Sequence, residues 1–416
     1  MSELILIAAV IILLVAGLQA AMFLMKGWLQ FSGQREANDL KLAILNERLQ
    51  FAAMTRNAEQ KVLDHGWSGL RKFKIAKKIP EGGSISSFYF VPHDGKPLPP
   101  FQPGQYLTFS LKVEGHQRPV VRCYSLSGSA LQRDYYRASV KRVSPSGAAS
   151  GHFHDNLEEG DIVDVKAPSG SFYLDMSEHS PVVLIGGGVG ITPVLSMLKS
   201  IVDAGSKREV WFLYGVRNRQ EHIMFDELRQ IDADNENVRL HICYSSPLES
   251  DNKGEDFHHD ERVSVDLLKR LLPSNNYDYY MCGPSAMMSS ITKELNQWGV
   301  PDNRVHIEAF GPASVKAQKQ PAPEQVKDVK EPEFEVTFAR SGKTVVWTNA
   351  IGSLLDLAED NGIQLDSGCR AGSCGTCVTA LKSGEVNYID DHSGEPEVGT
   401  CLACVAAPSS TLVLDA

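Results

Sequence analysis
The chain has 416 residues, of which 22% are charged and 43% hydrophobic, and its formal net charge is −10. That length excludes a single hydrophobic core and calls for about two to four domains. The acidic balance argues against nucleic acid as a partner. Of eight cysteines, Cys123, Cys243 and Cys282 are scattered and the other five fall between residues 369 and 404; this is no disulfide framework and suits a reducing compartment.

The first predicted element is apolar. Leu4 to Met25, "LILIAAVIILLVAGLQAAMFLM", is a run of 22 uncharged residues. As a helix it measures roughly 33 Å, enough to cross a hydrocarbon layer. A signal peptide carries a basic leader, whereas this chain opens with Glu3 and has its first basic residue at Lys26, after the run. Lys26, Arg35 and Lys41 then put the following domains on the cytoplasmic side. The expectation is a single-pass anchor over 4–25 in the cytoplasmic (inner) membrane. Residues 26–66 continue as a helical stalk, with an apolar stripe at Leu42, Leu45, Leu49 and Ala52.

From 67 to 176 the texture changes to short alternating strands separated by turns such as "PEGGS" and "PHDGKPLPP", which predicts an antiparallel barrel or sandwich. Here lie "RCYSLSG", Arg122 to Gly128, and "GAASGHFHDNL", beginning at Gly147. Arg122 has the charge to bind a phosphate, Tyr124 the ring to stack on a flat ligand and Ser125 a hydroxyl. Gly147 and Ser150 precede a short helix in the manner of a phosphate cradle. Taken alone, such residues are equally at home as half-buried strand positions.

From 177 to 311 strands alternate with helices: "VVLIGG", "PVLSMLKSIVDAG", "EVWFLYGV", "MFDELRQI", "VRLHICYS", "YDYYMCG". This predicts a doubly wound parallel sheet. The turn "IGGGVGITP" joins the first strand to its helix, where a backbone free of Cβ atoms can approach a pyrophosphate. Residues 312–332 are rich in Pro, Lys, Glu and Ala without periodicity and read as a linker. The final domain, 333–416, contains "DSGCRAGSCGTC", with Cys369, Cys374 and Cys377 spaced C-x4-C-x2-C. Followed by a distant cysteine, that is the spacing of a plant-type 2Fe–2S cluster. Gly368, Gly372 and Gly375 would let backbone N–H groups reach the sulfurs. Cys401 and Cys404 are the candidates for the fourth ligand.

Together these motifs resemble the ferredoxin–NADP reductase superfamily. "RCYS" is similar to its R-x-Y-S flavin motif, and "FQPGQYLTF" to the strand before it. "GAASGHFHDNL" and "APSGSFYL" resemble the flavohaemoglobin-like branch. "GGGVGITP", "YMCGP" and "EAFG" follow in the order of the nicotinamide half. "LACVAAP" resembles the end of plant-type ferredoxins, which makes Cys404 the fourth ligand and leaves Cys401 as a small buried hydrophobe. The resemblance implies a multidomain oxygenase-reductase: an antiparallel β-barrel flavin domain, an α/β NAD(P) domain and an α+β β-grasp ferredoxin domain. It implies that Arg122, Tyr124 and Ser125 hold the flavin, with Ser125 near N5, and that Gly147 and Ser150 take phosphate. Gly187, Gly188, Gly190 and Thr192 receive the dinucleotide. Cys282, Glu308 and Phe310 lie at the reaction centre. FAD is preferred to FMN, although reductases of the phthalate dioxygenase type share this domain order and use FMN. Arg217 and Arg219 favour a 2′-phosphate and Glu221 opposes one, so the donor is NADH or NADPH, with NADH favoured. The implied acceptor is a terminal oxygenase, hydroxylase or desaturase, expected at the membrane because of the anchor. The alternatives are a subunit of an NADH:quinone reductase and a redox sensor.

Overall fold
The computed structural model describes residues 69–116, 119–143, 147–308, 333–349, 351–368, 375–389 and 396–416, with single residues between and before them, among them Trp67, Phe310, Arg370 and Gly372. The chain divides into two units, Met1–Gln60 and Lys61–Ala416, and the elements below belong to the second. The anchor expected over 4–25, the stalk and the 312–332 linker lie outside the described residues apart from Gln19, Met25 and Lys41. Among the described residues no helix is long and apolar enough to cross a membrane. The expectation of a single-pass membrane protein is corrected accordingly: an uncharged run long enough to span is a statement about composition, and among the described residues no spanning helix accompanies it.

The first sheet consists of β1 (Arg71–Gly82), β2 (Ile85–Pro92), β3 (Tyr106–Leu111), β4 (Val120–Ser125), β5 (Tyr136–Lys141) and β6 (Ile162–Ser169), with α1 (Ala148–Asp155) between the last two. The order is β4-β3-β6-β1-β2-β5, and every pairing is antiparallel. The outer strands meet through a bridge between Leu126 and Ala138, so the sheet curls back on itself. Alternation builds its core: Phe73 and Ile75 of β1 are buried while Lys72 and Lys74 between and beside them are not. Phe153 of α1 plugs the interior, 5.1 Å from the Phe88 ring, 5.2 Å from Phe109 and 5.1 Å from Tyr124.

The second sheet is parallel. Its strands are β7 (Val182–Gly187), β8 (Val210–Val216), β9 (Val238–Tyr244), β10 (Asp278–Cys282) and β11 (Val305–Glu308), in the order β11-β10-β7-β8-β9. The helices are α2 (Ile191–Asp203), α3 (Phe225–Asp234), α4 (Val265–Leu271) and α5 (Ser285–Gln297). They cover both faces, and the near-continuous apolar strands feed two separate cores. The order reverses beside β7, the place where such sheets open a crevice for a ligand.

The third sheet is mixed. It contains β12 (Phe334–Phe338), β13 (Lys343–Trp347), β14 (Val378–Ser383), β16 (Thr400–Leu402) and β18 (Leu412–Leu414), ordered β13-β12-β18-β14-β16, and α6 (Leu354–Asp360) shares its core. A separate ribbon pairs β15 (Val386–Tyr388) with β17 (Ala406–Pro408). A capping box starts α6: the Ser353 hydroxyl accepts from the Asp356 N–H, and the Asp356 carboxylate accepts from the Ser353 N–H.

Candidate functional site
Arg122, Tyr124 and Ser125 share β4, an end strand of the first sheet, with Ser125 nearly buried and the other two half-buried. The Tyr124 ring stands edge-on to Phe153, and burial holds its hydroxyl well above the usual phenol range. Arg122 donates to its neighbour's carbonyl, Val121 O, at 2.7 Å. Its guanidinium pKa is lowered, first by burial and then by the charge of Arg370, with Glu359 working the other way. Arg370 is itself ion-paired with Glu359.

Gly147 caps α1, and Val143 backs directly onto it: a Cβ there would meet Val143 O at 2.8 Å. The Ser150 hydroxyl accepts from Val143 N–H at 3.1 Å and donates to Gly147 O at 3.2 Å. It holds the turn in shape.

The glycine-rich turn follows β7 as one turn of 3-10 helix, Gly188–Gly190, and runs into α2. A Cβ on Gly190 would come within 2.3 Å of Cys282 O, and one on Gly187 within 2.8 Å of Pro284. Only glycine permits that closeness. Gly188, at φ +55°, has open space where a Cβ would stand, as a cradle for a pyrophosphate requires. Thr192 is buried and donates to Val189 O at 3.1 Å, bracing the turn. Cys282 lies in register with Glu308 on one side and Gly186 on the other. Burial, then the Glu308 charge, pushes its thiol far up, so it stays a neutral group and not a nucleophile. Phe310 is half-buried two residues past β11.

In the third domain Cys377 and Cys404 come together, with their sulfurs 3.0 Å apart. Cys401 is wholly buried, and burial followed by the Cys377 charge pushes its thiol up to about 12. Gly372 and Gly375 have φ of +68° and +67°. Cys369 and Cys374 lie outside the described residues. Paired soft sulfur donors beside such a turn fit an iron–sulfur cluster.

The sequence motifs did not mark the bonds that join the two halves. Ser196 Oγ of α2 donates to Gly128 O at 2.7 Å, and Ala130 N–H donates to Ser200 Oγ at 2.8 Å. Arg137 of β5 reaches Glu227 of α3 at 3.1 Å. Arg137 alternates with Tyr136 and Ala138, whose side chains fill the core, so in sequence it reads as an ordinary outward-facing strand position.

The family described as the oxidoreductase FAD-binding domain matches residues 73–173, the oxidoreductase NAD-binding domain matches 184–293, and the 2Fe-2S iron-sulfur cluster binding domain matches 337–409. A flavohemoprotein of Bacillus cereus is 40% identical over 253 residues, which is 60% of this chain and 63% of that relative. The chain thus spans under two thirds of that relative's length. Among solved structures, the FAD/NAD-binding domain of a nitric oxide dioxygenase from Vibrio cholerae is 33% identical with a TM-score of 0.52, covering 58% of this chain and 99% of that one. Phthalate dioxygenase reductase is 30% identical with a TM-score of 0.55, covering 84% of this chain and 98% of that one, and its structure is described as modular for electron transfer from pyridine nucleotides to [2Fe-2S]. The chain therefore belongs to the ferredoxin-reductase-like superfamily of oxidoreductases, in the phthalate dioxygenase reductase-like group that joins FAD-binding, NAD-binding and 2Fe–2S domains.

Proposed function
We propose that the protein carries electrons from NAD(P)H through FAD to its 2Fe–2S cluster and on to a terminal oxygenase, hydroxylase or desaturase. The observation that carries this reading is the joining of the flavin strand to the dinucleotide helix: residues 128–130, just beyond Ser125, are hydrogen-bonded to α2. Hydride transfer needs two cofactor sites held at contact distance, and these bonds supply the hold. When bound, the flavin supplies hydride acceptance with stepwise electron release, and the cluster supplies a one-electron acceptor.

The chain's own residues do the positioning. Arg122 offers a cation to phosphate, Tyr124 presents a ring, and Ser125 offers a hydroxyl near the flavin N5. The Gly147–Ser150 turn presents backbone N–H groups at the start of α1. Gly187, Gly188 and Gly190 admit the dinucleotide backbone, with Thr192 keeping that turn in shape. Cys282, Glu308 and Phe310 line the nicotinamide end and exclude water. Cys369, Cys374, Cys377 and Cys404 hold the cluster.

Arg217 and Arg219 are already engaged. Arg217 is paired with Glu221 at 3.7 Å, and Arg219 lies 3.9 Å over the Phe225 ring and 3.7 Å from Asp256. This supports NADH over NADPH. The test is anaerobic mixing of purified protein with NADH and NADPH while flavin and cluster absorbance are followed. Turnover is then measured with cytochrome c, a quinone analogue and candidate oxygenases. Flavin bleaching followed by cluster bleaching is expected. A flavin that bleaches while the cluster stays oxidised would sink the proposed route, and selective turnover of the quinone would reassign the acceptor.

A further inference from the structure
We propose that Arg137, Glu227 and Lys199 form a clamp between the flavin and dinucleotide domains, and that Glu227 is a positioning residue for hydride transfer. The proposal rests on the functional reading above and extends it to residues outside the cofactor motifs.

Arg137 stands in the wall of the first sheet and is 5% exposed. Each edge of its guanidinium is used. Nε donates to Ser127 Oγ at 3.1 Å, one terminal nitrogen donates to Ser127 O at 2.5 Å, and the other to Glu227 Oε2 at 3.1 Å. Ser127 is fixed in turn by a hydroxyl chain, Ser127 to Ser139 and Ser139 to Ser87, each step 2.8 Å. Ser127 lies two residues beyond Ser125. The remaining oxygen of Glu227 takes Lys199 of α2.

The clamp thus grips three segments that matter. Ser127 continues the flavin strand. Lys199 shares a face of α2 with Ser196 and Ser200, at helical spacing, and α2 springs directly from the dinucleotide turn. Glu227 sits in the first turn of α3, which follows the Arg217–Glu221 segment at the other end of the dinucleotide site. The backbone adds to the seam, since a Cβ on Gly83 would stand 3.3 Å from Glu221 Cα.

The groups are charged in place. Burial opposes the Glu227 carboxylate, but Arg137 and Lys199 outweigh it and its pKa is lowered. Burial likewise opposes Arg137, and the Glu227 charge overrides it, so its pKa is raised. A buried ion pair of this sort adds little net stability compared with an apolar seam, but it selects one relative register. That is the property hydride transfer needs, because a misplacement of about 1 Å can cost up to about 100-fold in rate.

The experiment is anaerobic stopped-flow reduction of the full-length protein by NADH, read at saturating NADH, for Glu227→Gln, Lys199→Met and Arg137→Lys. Melting temperature and flavin content are measured alongside. Glu227→Gln should lower the limiting rate of flavin reduction by about tenfold or more, with the apparent NADH affinity changed less than about twofold. Adding Arg137→Lys should cost little further, because the two residues act as one unit. An unchanged limiting rate in Glu227→Gln overturns the clamp, even if the melting temperature falls, because the residue is then merely structural. Should Glu227→Gln fail to retain flavin, Lys199→Met decides: it leaves Arg137 paired, and a wild-type limiting rate in it overturns the proposal. Wild-type protein whose flavin neither NADH nor NADPH reduces would instead overturn the functional reading beneath it.

Discussion
Cys404 and Cys401 are three residues apart, yet their surroundings separate them. Cys404 meets Cys377 sulfur to sulfur, whereas Cys401 is wholly buried on β16, opposite Thr379. Cys404→Ser should abolish the cluster's visible absorption and leave flavin bound. Cys401→Ala should keep the spectrum and cost about 1 kcal/mol of stability through a small cavity. Loss of the spectrum in the Cys401 variant would show that the ligand set is wrong. Glu221 makes a second case. Its carboxylate neutralises Arg217 and would repel a 2′-phosphate. Removing that like charge, as in Glu221→Gln, should raise kcat/KM for NADPH by about fivefold. Steady-state kinetics with both dinucleotides would check this, and an unchanged ratio would remove Glu221 from the specificity argument.

At the scale of elements, the glycine-rich turn after β7 and the β9 side of the second sheet yield predictions of different kinds. Gly190 touches the backbone of β10, and backbone cannot step aside as a flexible side chain can. Gly190→Ala should therefore destabilise the domain by about 1–3 kcal/mol and weaken dinucleotide binding. Thermal melting and NADH titration are the measurements. Behind β9, His222 is 3% exposed and pairs with the Tyr244 hydroxyl at 2.9 Å. Burial, then the charges of Arg219 and His258, lowers its pKa from 6.5 to about 3. The folded state refuses a proton that the unfolded chain accepts. This stability is full above about pH 6.5 and is lost as pH falls toward 3, at up to about 1.4 kcal/mol per pH unit. Melting temperature should fall between pH 7 and pH 5, and His222→Gln should flatten that fall. An equal slope in both proteins would mean that other groups carry it.

Across the whole molecule, Arg122 is one place where two domains influence each other electrostatically. It stands on β4 of the first sheet, and the charge of Arg370, within the cysteine loop, lowers its pKa. Arg370 adopts φ +58° and is held by Glu359. Arg122→Ala should lower the flavin content of purified protein by about half or more, since a charge-assisted contact to phosphate is lost. Cluster absorbance should stay intact, because the cysteines belong to another sheet. Flavin content equal to wild type would refute the role given to Arg122.

The cofactor domains and their order were legible in the sequence because each rests on local chemistry. The C-x4-C-x2-C loop, the Gly-rich turn after an apolar strand and the R-x-Y-S strand each lie within a dozen residues, and short segments carry their own spacing and periodicity. The apolar run at 4–25 was equally legible as composition, but no membrane-spanning helix accompanies it among the described residues. Local patterns also left unread what side chains do once folded. Ser150 and Thr192 have the residue types of ligand contacts, yet both hydroxyls bond to backbone within their own turns. Arg137, Lys199 and Glu227 are far apart in the chain, and nothing near any of them names the other two. Only closure of the first sheet and its packing against α2 and α3 brings them to one carboxylate. The sequence by itself determined which cofactors the domains take, through residues that act as neighbours in the chain. The tertiary structure alone decided how the flavin and dinucleotide halves are held together, because long-range pairing of charges depends on where strands and helices finally meet.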